Sequence, residues 1–251
     1  MYYGLYMSAA GAHMQSQKVQ VLSNNIANGG TFGFKRELAL LESQESEAIE
    51  RGMVSRGSRT VNDVGGGAAL RATSTDFAPG DVQKTDNPTD FAIEPDVADA
   101  FFLVQRGKEK LLTRAGNFHL SNAGELLTAR GDLVLSSDGD PIVLNQNLPW
   151  QVAPGGIIDQ AGSRTELGLM RPSSLKSLEK VGQNYFSAKS MQPVSAEDRR
   201  VRGGYVELSG VKPVEEMVEL IAASRSHEAN VRLIQQHDQA TSQLISRMLR
   251  V

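Results

Sequence analysis

The sequence predicts an α+β protein in which long N- and C-terminal helices pair as a coiled-coil-like stalk around a central antiparallel β domain. Three observations support this class: a heptad-spaced seam at the N-terminus, a similar seam at the C-terminus, and glycines that separate short apolar runs between them. We expect four regions, which are an N-terminal helix and turn (1–35), an extended or flexible linker (36–69), a β domain (70–208) and a C-terminal helix (209–251).

The N-terminal helix is predicted from a seam whose members are spaced alternately by four and three residues: Leu5, Ala9, Ala12, Ser16, Val19, Ser23 and Ile26. Several members are small, so another helix could approach this seam closely. The helix should end at Asn28-Gly29-Gly30, because glycine readily adopts the left-handed conformations that terminate helices.

The C-terminal helix is predicted to begin at Pro213, whose fixed φ suits a first helical position. Acidic residues follow in the first turns and arginines close the last turn, which complements the helix dipole. Its apolar seam is interrupted by polar residues and would form a weak coiled coil alone, so we expect this helix to need partners. A long amphipathic helix lying on its own domain is the simpler alternative. The apolar members of the seam are Val214, Met217, Ile221, Val231, Ile245 and Leu249.

The central region is predicted to form short antiparallel strands, because β-prone runs alternate with glycines every seven to nine residues from Gly107 to Gly139. The expected strands are 91–93, 101–104, 110–113, 117–120, 126–128, 133–135, 142–144, 150–152, 166–170, 185–188 and 205–208. Five glycines between residues 51 and 67 favour a flexible or assembly-dependent linker before this region.

Composition excludes several classes of function. With 40% hydrophobic and 22% charged residues the chain is globular, and a net charge of −3 gives no basic excess for nucleic acid. The sequence has no cysteine and therefore no disulfide or thiolate metal site. It has no apolar run of about 18 residues, so no membrane span is expected. The N-terminus lacks a basic segment followed by an apolar core, so no cleaved secretory signal is expected either.

Candidate catalytic and binding motifs are weak, so we expect no enzymatic activity, no cofactor and no metal. The four histidines lack ligand spacing and are expected at a surface or an interface. Asp138 and Asp140 are paired carboxylates in a predicted turn without an evident acid partner. The tripeptide Arg130-Gly131-Asp132, which some adhesion receptors bind, is interpreted as a turn.

Several motifs occur in the order found in one known family. The N-terminal motifs are Leu5-Tyr6-Met7-Ser8-Ala9-Ala10-Gly11, Ser23-Asn24-Asn25-Ile26-Ala27-Asn28 and Gly33-Phe34-Lys35-Arg36. The central motifs are Thr85-Asp86-Asn87-Pro88-Thr89-Asp90-Phe91-Ala92-Ile93 and Thr113-Arg114-Ala115-Gly116-Asn117-Phe118. The C-terminal motifs are Val214-Glu215-Glu216-Met217-Val218-Glu219-Leu220-Ile221 and Glu228-Ala229-Asn230. Together they resemble the flagellar basal-body rod and hook proteins, the axial proteins of the flagellum, over nearly the whole chain.

This resemblance implies a structural subunit of the bacterial flagellar basal-body rod, which assembles through its terminal helices into the tubular drive shaft for motility. It further implies a periplasmic rod location, export by the flagellar type III apparatus without a cleaved signal peptide, and assembly with copies of itself and other rod and hook proteins. Within the family, the run 211–215 and the short length are most similar to the proximal rod subunit. A distal rod or hook subunit is the alternative, and a self-associating β-domain adaptor with a helical stalk is the alternative outside the family.

The residues expected at the assembly interface combine the two seams with the asparagine-rich motif. They are Leu5, Ala9, Ala12, Val19, Asn24, Asn25, Ile26, Asn28, Val214, Met217, Ile221, Glu228, Val231, Ile245 and Leu249.

Overall fold

Two long helices and 18 short strands form the part of the chain that the computed structural model describes, which is residues 2–45, 49, 51–53, 55 and 65–248. Helix α1 is Tyr2–Ala27 and helix α2 is Pro213–Met248. The strands are β1 (Glu37–Gln44), β2 (Gly67–Thr75), β3 (Val82–Lys84), β4 (Phe91–Ile93), β5 (Phe101–Arg106), β6 (Glu109–Thr113), β7 (Phe118–Leu120), β8 (Leu126–Thr128), β9 (Leu133–Val134), β10 (Trp150–Ala153), β11 (Ile157–Gln160), β12 (Ser163–Glu166), β13 (Leu169–Pro172), β14 (Glu179–Lys180), β15 (Tyr185–Ser187), β16 (Met191–Pro193), β17 (Val201–Gly203) and β18 (Tyr205–Glu207). Single 3-10 turns occur at Leu175–Ser177 and Ala196–Asp198. Neighbouring strands pair antiparallel, which confirms the predicted α+β class.

The chain divides into two compact units. Unit 1 comprises α1, α2 and the β1–β2 ribbon that follows α1 in the sequence. Unit 2 comprises Asn28–Arg36 and Asp76–Lys212, and it holds strands β3 to β18. Both units therefore contain segments that are far apart in the sequence.

The β1–β2 ribbon occupies both ends of the region where we expected an extended or flexible linker. Glu37 pairs with Thr75 at one end of the ribbon and Gln44 pairs with Gly67 at the other, with a register shift between Leu40 and Leu41. The run Glu-Leu-Ala-Leu-Leu-Glu-Ser-Gln lacks strict apolar–polar alternation, so the sequence pattern did not reveal this strand. Most of the glycine-rich stretch before Gly67 lies outside the described residues.

Unit 2 is built around β5, which pairs with β6, β9 and β13. Its first four residues are fully buried and alternate between two apolar clusters. Phe102 and Val104 belong to the larger cluster, whereas Phe101 and Leu103 belong to the smaller one. A strand buried on both faces has a continuous apolar run, and the sequence Phe-Phe-Leu-Val has that character.

The remaining strands of unit 2 extend this arrangement. The main sheet runs in the order β14-β15-β6-β5-β9-β8-β7, with β13 beside β5 and β16 beside β13. Smaller sheets pair β17 with β4 and β18 with β3, and β10, β11 and β12 form a three-stranded meander. Trp150, the single tryptophan of the sequence, lies in β10 and packs against the larger cluster.

Most predicted strands are present, but the predicted strand 166–170 is divided between the end of β12 and the start of β13, and β3, β11 and β14 were not expected. Two further differences are instructive. Residues 142–144 do not form a strand, and only Val143 lies in an isolated bridge, with Glu125. Ile142 donates to the Val134 carbonyl while its own carbonyl accepts from Leu126, so its bonds go to two neighbours. The segment 189–202, which holds none of the expected strands, contains β16 and the first part of β17. These strands have three residues each, which is too short for an alternation pattern to be detected in the sequence.

The tripeptide Arg130-Gly131-Asp132 forms the turn between β8 and β9, as interpreted from sequence. Gly131 has a φ of 84°, and its N–H donates to the Thr128 carbonyl at 2.8 Å. Both carboxylate oxygens of Asp132 accept from Arg106, at 3.0 and 2.9 Å. This hydrogen bond lowers the pKa of Asp132. The carboxylate of Asp132 is therefore already bound by Arg106 within the same chain.

Candidate assembly surface

Helices α1 and α2 run antiparallel inside unit 1 and meet at positions spaced by seven residues. A Cβ placed on Gly4 would lie 3.1 Å from Nε2 of His237, and one placed on Gly11 would lie 3.1 Å from Nδ2 of Asn230. A seven-residue step along α1 thus matches a seven-residue step back along α2. The two glycines allow larger polar side chains of α2 to pack directly on the α1 backbone.

The same register continues to the C-terminal end of α1 through a buried polar contact. Nδ2 of Asn25 donates to Oε2 of Glu216 at 3.1 Å and to the carbonyl of Glu37 at 2.9 Å. Its Oδ1 accepts from the Glu37 N–H at 3.0 Å. Asn25 is 0% exposed and Glu216 is 1% exposed. One amide side chain therefore joins the end of α1, the start of β1 and the start of α2.

Two further contacts lie between these ends of the helix pair. Nδ1 of His227 lies 2.9 Å from the Ala12 carbonyl oxygen and must carry the proton of that hydrogen bond. Nζ of Lys18 lies 3.4 Å from Oε2 of Glu219, and both side chains are partly exposed. Polar contacts thus follow one another along the whole length of α1.

On both helices, the contacting residues lie on stripes with strict four- and three-residue steps. The members of each stripe are buried or half-buried, whereas many residues beside the α2 stripe are exposed. The α1 stripe is Gly4, Ser8, Gly11, Gln15, Lys18, Leu22 and Asn25, and the α2 stripe is Glu216, Leu220, Ala223, His227, Asn230, Ile234, His237 and Thr241. We call these the contact stripes.

The seams predicted from sequence lie one residue beyond the contact stripes, on the neighbouring face of each helix. On α2 this face is exposed: Val214 is 75% exposed, Met217 48%, Ile221 54% and Ile245 53%. We call the α2 residues Val214, Met217, Val218, Ile221, Leu244, Ile245 and Met248 the apolar stripe. The apolar periodicity identified the most hydrophobic face of α2, and the α1–α2 contact uses a more polar face.

The other faces of α1 also differ in how far they are buried. Tyr3 donates its hydroxyl hydrogen to the Gly65 carbonyl at 2.7 Å, and a Cβ on Gly67 of β2 would lie within 3.7 Å of Met7 and Ala10 side-chain atoms. One face of α1 therefore packs against the ribbon. The remaining face is largely exposed within the described chain and carries Tyr6, Ala9, His13, Gln20, Ser23, Asn24 and Ala27.

The 15 residues expected at an assembly interface fall into three groups in the single chain. Three are buried, at 8% exposure or less: Ala12, Asn25 and Asn28. Four are half-buried: Leu5, Val19, Ile26 and Val231. Seven are exposed and accessible to a second subunit: Ala9, Asn24, Val214, Met217, Ile221, Glu228 and Ile245. Leu249 lies outside the described residues.

Several residues that make the contacts between α1 and α2 were not in the apolar seams or among the residues expected at the interface. Gly4, Gly11, Glu216, His227 and His237 were passed over because glycine, glutamate and histidine do not count as apolar in a seam. Their regular spacing was the signal that could have revealed them, since Gly4 and Gly11 are seven residues apart. The histidines were expected at a surface or an interface, and two of them, His227 and His237, lie in the contact stripe within the single chain.

Three charged residues, two of them from the sequence motifs, meet in a buried ionic cluster of unit 2. Nζ of Lys35 lies 2.7 Å from Oε1 of Glu207, and Nε of Arg114 lies 2.8 Å from Oε2 of the same carboxylate. All three side chains are at most 1% exposed. Burial lowers the pKa of Lys35 and that of Arg114, and the adjacent Glu207 only partly offsets this effect. The cluster explains the motif residues Lys35 and Arg114 as structural anchors of unit 2.

The described part of the chain contains no candidate metal site. No set of three histidine, aspartate or glutamate side chains there could hold a metal ion. Asp138 and Asp140 are both exposed in the turn that follows β9. Among the same residues, neither helix has a stretch apolar enough to cross a membrane.

Comparisons with known proteins agree with the resemblance stated from sequence. Residues 202–247 match the flagellar basal body rod FlgEFG protein C-terminal family model, and residues 97–162 match that of the flagellar hook protein FlgE/F/G D1 domain. The chain is 32% identical to the flagellar basal-body rod protein FlgG of Borreliella burgdorferi, over 93% of this chain and 94% of that protein. It is 31% identical to FlgG of Caulobacter vibrioides, over 96% and 99%, and 28% identical to FlgF of the same species, over 97% of each chain. The chain therefore belongs to the flagellar basal-body rod protein family.

Proposed function

We propose that this protein is a structural subunit of the flagellar basal-body rod that assembles through its terminal helices. The observation that carries the proposal is the apolar stripe of α2, which stays exposed in the single chain while the neighbouring, more polar stripe contacts α1. The stripe consists of two exposed apolar groups, at 214–221 and 244–248, and such exposed apolar patches indicate sites of protein association. Members of this family are structural proteins and not enzymes, so the surface serves assembly.

The α1–α2 pair forms an antiparallel, coiled-coil-like stalk in this proposal. Its support is the alternation of four- and three-residue steps on both contact stripes and the matched spacing of Gly4 and Gly11 with His237 and Asn230. Because this seam contains many polar residues, its stability depends on hydrogen bonds such as that of Asn25 with Glu216. Such bonds also fix the register of the pair, since a slip would leave them unpaired.

The apolar stripe is then the contact with neighbouring subunits, which are copies of this chain and other rod and hook proteins. Burying a methionine, isoleucine or valine side chain stabilises an interface by roughly 1.5–3 kcal/mol each when the side chain was fully exposed before. Met217 and Ile221 are half-exposed, so each has about half of that energy available. The small residues Ala9 and Ser23 on the exposed face of α1 would allow close approach of another helix.

The location follows from the same proposal. The protein lies in the flagellar basal body, in the part of the rod that crosses the periplasm, and reaches it through the flagellar type III export apparatus. We further propose the proximal rod position, supported by the run Val-Lys-Pro-Val-Glu at 211–215. FlgG and FlgF relatives are similar to the chain in the same range of identity, so subunit identity is tested by imaging labelled basal bodies.

The experiment that tests the function compares three full-length variants in cells that lack the natural protein. Met217→Asp and Ile221→Asp should abolish incorporation into basal bodies and motility, because a buried unpaired carboxylate costs several kcal/mol. Ser226→Asp adds the same charge at an exposed position of α2 outside both stripes and should assemble normally. Fluorescence of Trp150 reports that unit 2 is folded in each variant. Normal incorporation of Met217→Asp would show that the apolar stripe is not the interface.

A further inference from the structure

The segment Thr31–Arg36 lies within unit 2 although it connects two elements of unit 1 in the sequence. Its backbone bonds to two distant parts of unit 2. The N–H of Gly33 donates to the Glu207 carbonyl at 2.8 Å, Gly210 donates to the Phe34 carbonyl at 2.9 Å, and Asp76 donates to the Arg36 carbonyl at 2.8 Å. We call residues 31–36 the docked segment, and the surface that holds it the docking groove.

Two fully buried side chains anchor the docked segment in this groove. Nζ of Lys35 donates to Oε1 of Glu207 at 2.7 Å and to the Ala78 carbonyl at 2.8 Å. Phe34 is 0% exposed, and Nζ of Lys180 lies 4.2 Å from the centroid of its ring. The groove thus provides a carboxylate and a carbonyl for a cation and an enclosed site for an aromatic ring.

A third position in the docked segment requires glycine. Gly33 has a φ of 63°, and a Cβ there would lie 2.3 Å from the Ala115 nitrogen, which no rotamer change could relieve. Gly30, just before the segment, has no atom within 4 Å of the place where a Cβ would lie, so it tolerates a side chain. The groove therefore selects a peptide with the sequence glycine, aromatic residue, lysine, in which the glycine has a left-handed conformation.

None of these contacts depends on sequence neighbours of the docked segment. Lys35 is 43 residues from Ala78 and 172 residues from Glu207. The chain between α1 and β1 delivers the segment, but the contacts are those that a separate peptide could also make through backbone pairing and side-chain pockets. The Glu207 carboxylate and the Ala78 carbonyl, which both accept from Nζ of Lys35, give the groove its preference for a cation at this position.

We propose that unit 2 contains a binding groove for a glycine–aromatic–lysine peptide, which the chain's own docked segment fills and which also accepts this segment from a second copy. The proposal stands on contacts inside unit 2 and is independent of the apolar stripe. If the proposal holds, unit 2 folds fully only when the groove is occupied, so that Lys35 of a docked segment pairs with Glu207.

The test uses the full-length protein and a fluorescent peptide with the sequence of residues 28–37. The double variant Phe34→Ala, Lys35→Ala weakens the chain's own docked segment and should bind the peptide at least tenfold more tightly than the wild type, whose groove is filled. A peptide with valine in place of Gly33 should lose at least tenfold in affinity. The variant Gly30→Ala, which leaves the docked segment unchanged, should bind the peptide no better than the wild type.

Each result decides the proposal. If the folded double variant binds neither peptide, or binds both equally, the groove is not a peptide site. If the double variant does not fold alone, it is refolded with excess unlabelled peptide and monitored by Trp150 fluorescence. Recovery with the natural peptide but not with the valine peptide supports the proposal, and absence of recovery overturns it.

Discussion

The two units of this protein differ in the burial of their apolar residues. Unit 2 encloses its large side chains almost completely, and Phe91, Phe101, Phe102 and Phe186 are all 0% exposed. In unit 1, the helix–helix contact uses glycine, asparagine, histidine and glutamate, while methionine, isoleucine and valine side chains of α2 face outward. Unit 2 therefore has a core of its own, whereas unit 1 leaves its most hydrophobic surface for another molecule.

This difference shows that the most apolar face of a helix is not always the face that the monomer buries. Burial within one chain is limited to what α1 and the ribbon can cover, and the polar contact stripe is satisfied by specific hydrogen bonds. In the purified protein we therefore expect substitutions in the core of unit 2 to have the largest effects on stability, and those on the apolar stripe of unit 1 to have the smallest.

The largest effect is expected from Glu207→Ala in unit 2. Removing the shared carboxylate leaves Lys35 and Arg114 as buried cations without a counter-ion, which should lower the free energy of unfolding by about 3–5 kcal/mol. Urea unfolding followed by Trp150 fluorescence measures this change. The control Glu94→Ala breaks a partly exposed pair with Arg202 and should cost much less than Glu207→Ala. Equal losses in both variants would contradict the role of the cluster.

Gly11→Leu tests the close contact of the two helices in unit 1. The new side chain must displace Asn230, whose atoms lie 3.1 Å from the Cβ position, and overpacking of this kind costs about 1–3 kcal/mol. The loss should appear as reduced helical circular dichroism at intermediate urea, while Trp150 in unit 2 keeps its wild-type transition. Gln20→Leu, on the exposed face of α1, is the matched control and should leave the helical transition unchanged. A stable helical signal in Gly11→Leu would show that α1 and α2 do not depend on this contact.

Acid should destabilise unit 2 partly through Asp132. In the native protein the hydrogen bond from Arg106 lowers the pKa of the Asp132 carboxyl below its ordinary value of 3.8. As the pH falls, this carboxyl therefore takes up a proton at a higher pH in the unfolded chain than in the native protein. Stability from this group is complete above the unfolded pKa and is lost as the pH falls through the native pKa, with a slope of at most about 1.4 kcal/mol per pH unit. Asp132→Asn should remove this slope in urea titrations below about pH 4, because asparagine does not ionise. Asp138→Asn, at an exposed position of the next turn, should retain it. An unchanged slope in Asp132→Asn would assign the acid sensitivity to other groups.

The smallest effect is expected on the apolar stripe itself. Val218→Ser replaces a side chain that is 63% exposed, so the free energy of unfolding of the monomer should change by less than about 0.5 kcal/mol. Urea denaturation of the variant and the wild type at low protein concentration measures this value. A loss above about 1 kcal/mol would mean that the stripe is covered within the single chain, and the contrast between the two units would then disappear.

Much of the fold could be predicted because local patterns are strong where they agree with burial. The run at Phe101–Val104 is apolar on both faces and forms the central strand of unit 2, and the glycine at 131 marks the turn between β8 and β9. The end of α1 before Asn28 and the start of α2 at Pro213 follow from residues that favour helix termini. The ribbon and the short strands β3, β11, β12, β14, β16 and β17 were missed, since their own patterns are weak.

The candidate interface was predictable only in part. Val214, Met217 and Ile221 were selected as apolar and are exposed, so their role in assembly stays a prediction. Asn25 was selected from its motif, and the structure shows that it bonds within the chain to Glu216 and Glu37. A motif indicates that a residue matters, but it does not indicate whether its partner lies in the same chain or in another.

By itself, the sequence determined the class of this protein, its two terminal helices, its glycine-separated strands and its family, because these depend on local spacing and on ordered motifs. Only the tertiary structure decided which helix face is buried, since a rotation of one residue separates the contact stripe from the apolar stripe and both have the same periodicity. The tertiary structure also brought Lys35, Arg114 and Glu207 together, because a buried charge requires partners that no local pattern can identify.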